Sequence, residues 1–291
     1  ALKMMDFGQK LCQEIGGKSV HPISAIVGGM KKPMDEDARD RFLKQVDEQI
    51  EFTKKTVEIG LKVVEDYWDV VANVGVVPTY YLGMAKNGIH DIYEGDIRIV
   101  SPEGEKTDYD VHDYLDVLGE HIPKHSYATH MYYKPAGYPE GIYRANTLAM
   151  INAADKMATP LAQDALQQFR DKVGQISHHT FAYHWARLIE TVEAIENVKT
   201  LLEDPDIVNP DCKTLDVEPR EGNGVGVTEA PRGLLLYHIW SDADGMCKKL
   251  NLLVATNHNI AGIEKSLMHT AKQVFEDKAL EGLSLPDPWI D

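Results

Sequence analysis

Cysteine is scarce in this chain. Three occur in 291 residues, Cys12, Cys212 and Cys247, at wide and irregular spacings and with no Cys-x-x-Cys pair. An odd, scattered set argues against a disulfide framework and makes the reducing cytoplasm the expected compartment. Basic charge is also short: 30 Lys and Arg face 46 Asp and Glu, a formal net charge of −16 spread along the chain. That balance argues against nucleic acid or an anionic membrane surface as partner. No apolar run approaches the ~20 residues of a membrane span, and no basic-then-apolar signal opens the sequence. A soluble protein is expected. Apolar residues, at 43%, are plentiful enough for a full-size core without metal or disulfide staples.

The hydrophobic spacing predicts mostly helix. Residues 1–15 place Leu2, Met5, Leu11, Cys12 and Ile15 near the helical period, with no initiator Met or capping residue before them. A Gly-Gly-bracketed connector, "GGKSVHPISAIVGGMKKP", follows. A long helix is then predicted over 35–73, with Phe42, Val46, Ile50, Val57, Leu61, Val64 and Trp68 in register and Asp35 as its cap. Residues 84–110 change to short alternating stretches split by Asn-Gly and Glu-Gly, a β excursion, and the Tyr-, Gly- and Pro-rich stretch 126–147 reads as a packed irregular loop. Helix returns at 145–158 and 160–203, with Pro160 at a start and Pro205 at the end. Residues 222–257 alternate again around an Asp-Ala-Asp-Gly turn, and a last amphipathic helix is predicted over 259–278, before the Pro-punctuated "LEGLSLPDPWID". With no repeat and no convincing linker, residues 1–291 are expected to form a single, mainly α domain carrying small β hairpins.

Few of the chemical motifs are specific. His121 and His125, and His178, His179 and His184, fall close together, but no carboxylate or thiol stands at metal-site spacing, so surface or core-satisfied histidines are the better reading. "GNGVGV" at 222–227 lacks the strand-then-helix flanks of a dinucleotide loop and reads as a hairpin element. No Walker pattern, nucleophile elbow or kinase set appears. "HPISAIVGG" and "EAPRG" remain. His21-Pro22 alone is most often a turn, and Arg232 alone a surface charge. Yet Pro231 fixes the backbone before Arg232 and Gly233 permits close approach after it, so the guanidinium's planar fork could be presented from a rigid elbow.

Taken together and in order, "HPISAIVGG", "VPTYYLG", "ADKMATPLAQ", "HWARLIETVEAIE", "EAPRGLLLYH" and "NLLVATNHNIAGIE" resemble the large subunit of nickel-iron hydrogenases, and among these the cytoplasmic F420-non-reducing (viologen-reducing) branch of methanogenic archaea. The resemblance covers essentially the whole chain. It implies a helical-bundle subunit enclosing a nickel-iron centre with cyanide and carbon monoxide on the iron, heterolytic splitting of dihydrogen, and a partnering iron-sulfur small subunit, with a larger electron-bifurcating or heterodisulfide reductase assembly beyond it. It places Arg232 over the open face of the metals as the catalytic cation and cyanide donor. Pro231, Leu235, Ala255 and Thr256 surround the diatomic ligands, with the Thr256 hydroxyl as second donor and His21 near the metal pocket. Leu252 would offer its backbone carbonyl to a separate magnesium or iron site.

One departure is large. The family holds its metals with two Cys-x-x-Cys pairs, near the two ends of the large subunit, and neither occurs here, so no metal-ligating side chain is assigned. Three explanations stand: a longer subunit of which this is the core, a separate short peptide carrying the C-terminal ligands (cysteine or selenocysteine), or a metal-free structural or electron-transfer subunit of the same fold. The first two also predict an exposed apolar surface where the missing segments dock.

Overall fold

The structure is a computed structural model, and it describes residues 2–276. The predicted "LEGLSLPDPWID" segment lies outside the described residues. Helix α1 (Leu2–Gly16) lays Phe7 and Leu11 on the following long helix, with Phe7 edge-on to Phe42 at 5.5 Å. After a two-strand clip, β1 (Ala25–Ile26) and β2 (Gly29–Met30), helix α2 runs from Glu36 to Asp66. Asp35 caps it as expected: its Oδ1 accepts from the N–H groups of Asp37 (3.0 Å) and Ala38 (3.4 Å), and Glu36 and Asp37 complement the helix dipole. The helix predicted to continue to 73 breaks at Tyr67 and resumes as α3 (Trp68–Asn73).

The first sheet contains β3 (Tyr80–Lys86), β4 (Ile89–His90), β5 (Asp96–Val100) and β6 (Lys106–Tyr109), ordered β4-β3-β5-β6. It begins before residue 84, where the expected β excursion started. Strand β3 is covered on both faces, Tyr81 joining one apolar cluster and Leu82 and Met84 another, so its sequence does not alternate. The stretch expected to be an irregular loop is partly regular. A short helix, α4 (Tyr114–Val117), leads into a hairpin of β7 (Leu118–His121) and β8 (His130–Tyr133), and β9 (Tyr143–Arg144) runs parallel to β3. No turn dipeptide marks that hairpin, because its loop spans 122–129.

Helix α5 (Thr147–Ala153), buried at every residue and capped by Asn146, is shorter than the predicted 145–158. The helix predicted over 160–203 is two, α6 (Pro160–Val173) and α7 (Tyr183–Glu203), separated where Gly174 adopts φ +90°. Helix α7 packs along α2, α5 and α6 and buries Trp185, Ala186, Ile189, Val192 and Glu193.

The last sheet, β10 (Gly222–Ala230), β11 (Gly233–Ser241) and β12 (Cys247–Leu253), is antiparallel throughout, and the Asp-Ala-Asp-Gly turn joins β11 to β12 as predicted. Its inner face carries Glu229, Leu234, Leu236, His238 and Leu253, all buried. Its outer face pairs Tyr237 with Leu252 and Ile239 with Leu250, all exposed. Helix α8 runs from Ala255 to Phe275, starting ahead of the predicted 259 because Val254 at its N-cap offers no capping side chain to read. Of the predicted end at 278, residues 277 and 278 lie outside the described residues. The whole is 48% helix and 23% strand, which corrects the expectation of a mainly α chain to a mixed helix-and-sheet fold. Replacing Asp35 with Ala should lower stability by about 1 kcal/mol, and Asp35→Ser should restore most of it, in denaturant titrations.

Candidate active site at the Pro231–Arg232 elbow

Strands β10 and β11 are closed by the two residues Pro231 and Arg232, with Ala230 paired to Gly233. Proline fixes the approach. Gly233, at φ +120°, lies so close to the segment before α5 that a Cβ there would be 2.3 Å from the Ala145 carbonyl oxygen. The elbow is held from behind by Asn259, which is 7% exposed. Its Oδ1 accepts from the Ala145 N–H (2.9 Å) and Asn146 Nδ2 (3.0 Å). Its Nδ2 donates to the carbonyls of Arg232 (2.8 Å), Ala255 (2.9 Å) and Ala145. One carboxamide therefore joins the elbow, the first turn of α8 and the 145–146 corner.

Five of the seven predicted residues gather at that junction or beside it. Pro231 and Arg232 form the exposed tip, Ala255 and Thr256 open α8 with the first buried and the second exposed, and Leu235 is half-buried on β11. No acidic residue occupies the first turn of α8, so the helix dipole and the Arg232 cation both favour an anionic or strongly electron-rich ligand. Leu252 sits on β12 opposite Tyr237, on the exposed apolar face that Leu235 adjoins. His21 is exposed, at φ +54°, in the bend after α1, and no hydrogen bond among the described residues joins it to the elbow. The apolar face is the exposed surface that the sequence led us to expect.

Behind the elbow lies a buried acid cluster that the sequence did not disclose. Glu229, on β10 and 7% exposed, accepts from the Met84 N–H at 2.8 Å through Oε1, while its Oε2 has no partner. His90, on β4 and 2% exposed, is hydrogen-bonded through Nδ1 to Glu193 on α7, and its Nε2 is unpartnered. The other Glu193 oxygen accepts from the Ala158 N–H at 2.8 Å. Glu190 is half-buried as a residue, but its Oε1 is enclosed and unpartnered. Burial pushes Glu229 up to about 7 against the pull of His90 and the Met84 amide. Burial likewise pushes Glu190 up to about 8, with His90 opposing and Glu229 and Glu193 adding to it. Burial alone would depress His90, yet the hydrogen bond and charge of Glu193, with Glu190 and Glu229, raise it overall. These groups can hold and pass a proton near neutral pH.

The thiols are elsewhere. Cys12 is exposed on α1, and Cys212 donates to the Met30 carbonyl at 3.4 Å. Cys247 pairs with Ser241 at the far end of β11, roughly 27 Å from Gly233 at the usual strand rise. No cysteine here can ligate a metal at the elbow. Among the histidines, His178 and His179 are satisfied within the fold and His184 is exposed, as expected. His125 differs: Glu264, far away in sequence, meets it and His130. Two open grooves, of about 340 and 380 Å³, are lined by none of the predicted residues.

No protein-family profile matches the chain. It is 43% identical over 277 residues to the vhu-type large-subunit relative from Methanocaldococcus jannaschii, an F420-non-reducing hydrogenase polypeptide, covering 95% of this chain and 66% of that relative. The polypeptide of the same name from Methanococcus voltae is also 43% identical, over 278 residues, with the same coverage. An NAD+-reducing [NiFe]-hydrogenase, solved in the H2-reduced state, superposes with a TM-score of 0.87 at 30% identity over 98% of this chain and 62% of that one. The chain belongs to the nickel-iron hydrogenase large-subunit family. Within it, the relatives with the higher identities are polypeptides of F420-non-reducing hydrogenases, of which it spans about two thirds of the length.

Two predictions concern the site's construction. Gly233→Ala should destabilise by about 2–4 kcal/mol in thermal or denaturant unfolding, since the new methyl meets a backbone carbonyl at a φ unsuited to alanine. A loss below about 0.5 kcal/mol would contradict the close approach. The second concerns pH. Folding raises Glu229 and Glu190 from the ordinary 4.5 to about 7 and about 8. The folded state therefore retains protons that the unfolded chain has released, so stability present below the ordinary value is lost as pH rises through the raised ones, and raised His90 acts with the same sign. The unfolding midpoint should fall across that window, and Glu190→Gln should flatten the fall.

Proposed function

We propose that this chain is the core of the catalytic subunit of a nickel-iron or nickel-iron-selenium hydrogenase, which cleaves dihydrogen heterolytically and passes electrons to an iron-sulfur small subunit. The observation that carries the reading is the locked Arg232 elbow with proton-titrating Glu229 directly behind it. Family membership and the shared fold support it.

The residues present do not fit the metal-holding role, because all three cysteines are remote from the elbow. The thiolates of the proposed centre therefore come from polypeptide other than these residues, a longer subunit or a separate short peptide. No step is derived through the metals. What this chain contributes is the surrounding polar frame. Arg232 presents N–H donors in a planar fork and Thr256 an exposed hydroxyl, suited to the nitrogens of cyanide ligands, while Pro231, Leu235 and Ala255 shape the apolar wall. His21 and the Leu252 carbonyl, the latter toward a magnesium or iron ion, keep the supporting roles the resemblance implies.

Heterolytic cleavage leaves a proton to be removed. Glu229 is placed to accept it, and His90, Glu193 and Glu190 continue inward from β10 through β4 to α7. A carboxyl near neutrality accepts and releases protons with little free-energy cost in either direction. A cytoplasmic setting and a heterodisulfide reductase assembly complete the proposal. The remoteness of the thiols favours a second reading, a metal-free structural subunit of the same fold.

Nickel per copy of this chain, measured by mass spectrometry on the complex purified without oxygen, separates the two. Near-stoichiometric nickel is expected. Arg232→Lys and Glu229→Gln should then each retain nickel while hydrogen oxidation drops at least about 100-fold. Unchanged activity in either variant removes that residue from the mechanism, and nickel absent from an intact complex removes the hydrogenase reading.

A further inference from the structure

Helix α8 lies across β8, and this packing joins three residues from separate parts of the chain: His125 in the 122–129 loop, His130 at the start of β8, and Glu264 in the middle of α8. We propose that His125, His130 and Glu264 form a binding site for a zinc-class divalent transition-metal ion. The site is distinct from the elbow, since Glu264 is eight residues beyond Thr256, about 12 Å along the helix.

The geometry is that of a ligand set. His125 Nε2 is 3.0 Å from Glu264 Oε1 and 3.2 Å from Oε2, and His130 Nε2 is 3.2 Å from Oε1. All three donors lie within 4.8 Å of one another. Around a tetrahedral ion with bonds of ~2.0–2.1 Å, neighbouring ligand atoms stand ~3.3 Å apart, so these donors require little movement to enclose one.

A simple ion pair accounts for His125 but not for His130. The latter is 3% exposed, and its Nε2, aimed at Glu264, makes no hydrogen bond, its approach to the carboxylate being misdirected. An enclosed ring nitrogen without a partner is costly, and a metal ion supplies the partner. The opposite nitrogen is already engaged. His130 Nδ1 pairs with the Tyr138 hydroxyl at 3.2 Å, and Tyr138 stacks on His121 at 3.9 Å. With Nδ1–H donating to that hydroxyl, Nε2 keeps its lone pair for a metal, the arrangement in which an outer partner fixes the tautomer.

Two imidazoles and one carboxylate select first-row transition metals such as zinc over magnesium or calcium, which take oxygen ligands. His125 and Glu264 are open to solvent, with side-chain exposures of 64% and 39%, leaving an entry path and a fourth position for water. Occupied, the site would clip the β7–β8 hairpin to the helix whose first turn carries Thr256. Asn257 Nδ2 already donates to Thr129 Oγ1 at 3.2 Å across the same junction, so the donors stay assembled without the ion.

The proposal does not depend on the hydrogenase reading, and its test reads a different metal. The protein, purified in its own assembly and treated with a mild chelator, is titrated with Zn2+ and desalted, and zinc and nickel per copy are measured together; Co2+ substitution gives the visible bands of a tetrahedral site. One added zinc per copy is expected, with a rise in the unfolding temperature. His130→Ala and Glu264→Gln should weaken zinc binding at least about 100-fold, the upper range for loss of mere outer-shell partners, with nickel content unchanged. His125→Ala, at an exposed position that the fold tolerates, should weaken it at least about 10-fold and bleach the Co2+ bands. No zinc bound by the wild type, or equal binding by the wild type and His125→Ala, overturns the site.

Discussion

Asn259 is the constraint on which the candidate site depends. A carboxamide has one acceptor oxygen and two donor hydrogens, and here these are divided among the Arg232 elbow, the opening turn of α8 and the corner before α5. Each of those segments ends with backbone groups that its own secondary structure cannot satisfy. Buried together they would be costly, and the amide satisfies them jointly while fixing their relative positions. Gly233 makes the same junction possible sterically, because no side chain fits against the Ala145 carbonyl. The rigidity of the elbow is thus a tertiary property: Pro231 stiffens one residue, but Asn259 decides where Arg232 stands.

The alternation of β10 links that frame to the acids behind it. Successive side chains on a strand point to opposite faces, so Glu229 is directed inward against β3 when the turn is directed outward. The buried carboxyl is tolerated because one oxygen takes the Met84 N–H and because it remains protonated near neutrality. Replacing it with an apolar residue would ease that burden. That a titrating acid stands there, close to His90, Glu190 and Glu193, is a stronger indication of proton handling than any one shift.

The sequence disclosed those features that are local. The Asp35 cap, the Pro160 start, the Asp-Ala-Asp-Gly turn and the Pro231–Gly233 elbow each rest on chemistry within a few neighbouring residues. Strand β3 was partly hidden because burial on both faces erases alternation, and the β7–β8 hairpin because its long loop carries no turn signature. The break at Gly174 shows how a single glycine divides two good helical patterns. His90, Glu190 and Glu193 were illegible for a different reason: their proximity is created by β4 and α7 coming together, and no spacing encodes it. Asn259 and Glu229 stood inside quoted motifs without a role, since a buried amide or acid looks like a surface one until its partners are known. The same holds for Glu264, whose histidines are more than a hundred residues away.

The exposure of Arg232 bears on how the elbow can work. Two unit charges 4 Å apart interact by about 1 kcal/mol in water but about 4 kcal/mol at the effective dielectric of a partly enclosed protein site. An arginine left in solvent would polarise a ligand weakly, so the proposed role requires that something cover it. The outer face of the β10–β12 sheet is the surface suited to that covering, because Tyr237, Ile239, Leu250 and Leu252 form one apolar patch continuous with Leu235. On a water-facing surface such a patch is retained for burial against another segment or chain. The elbow and the patch therefore belong to one device: covering the second dries the first, and the electrostatic strength of Arg232 follows from that contact.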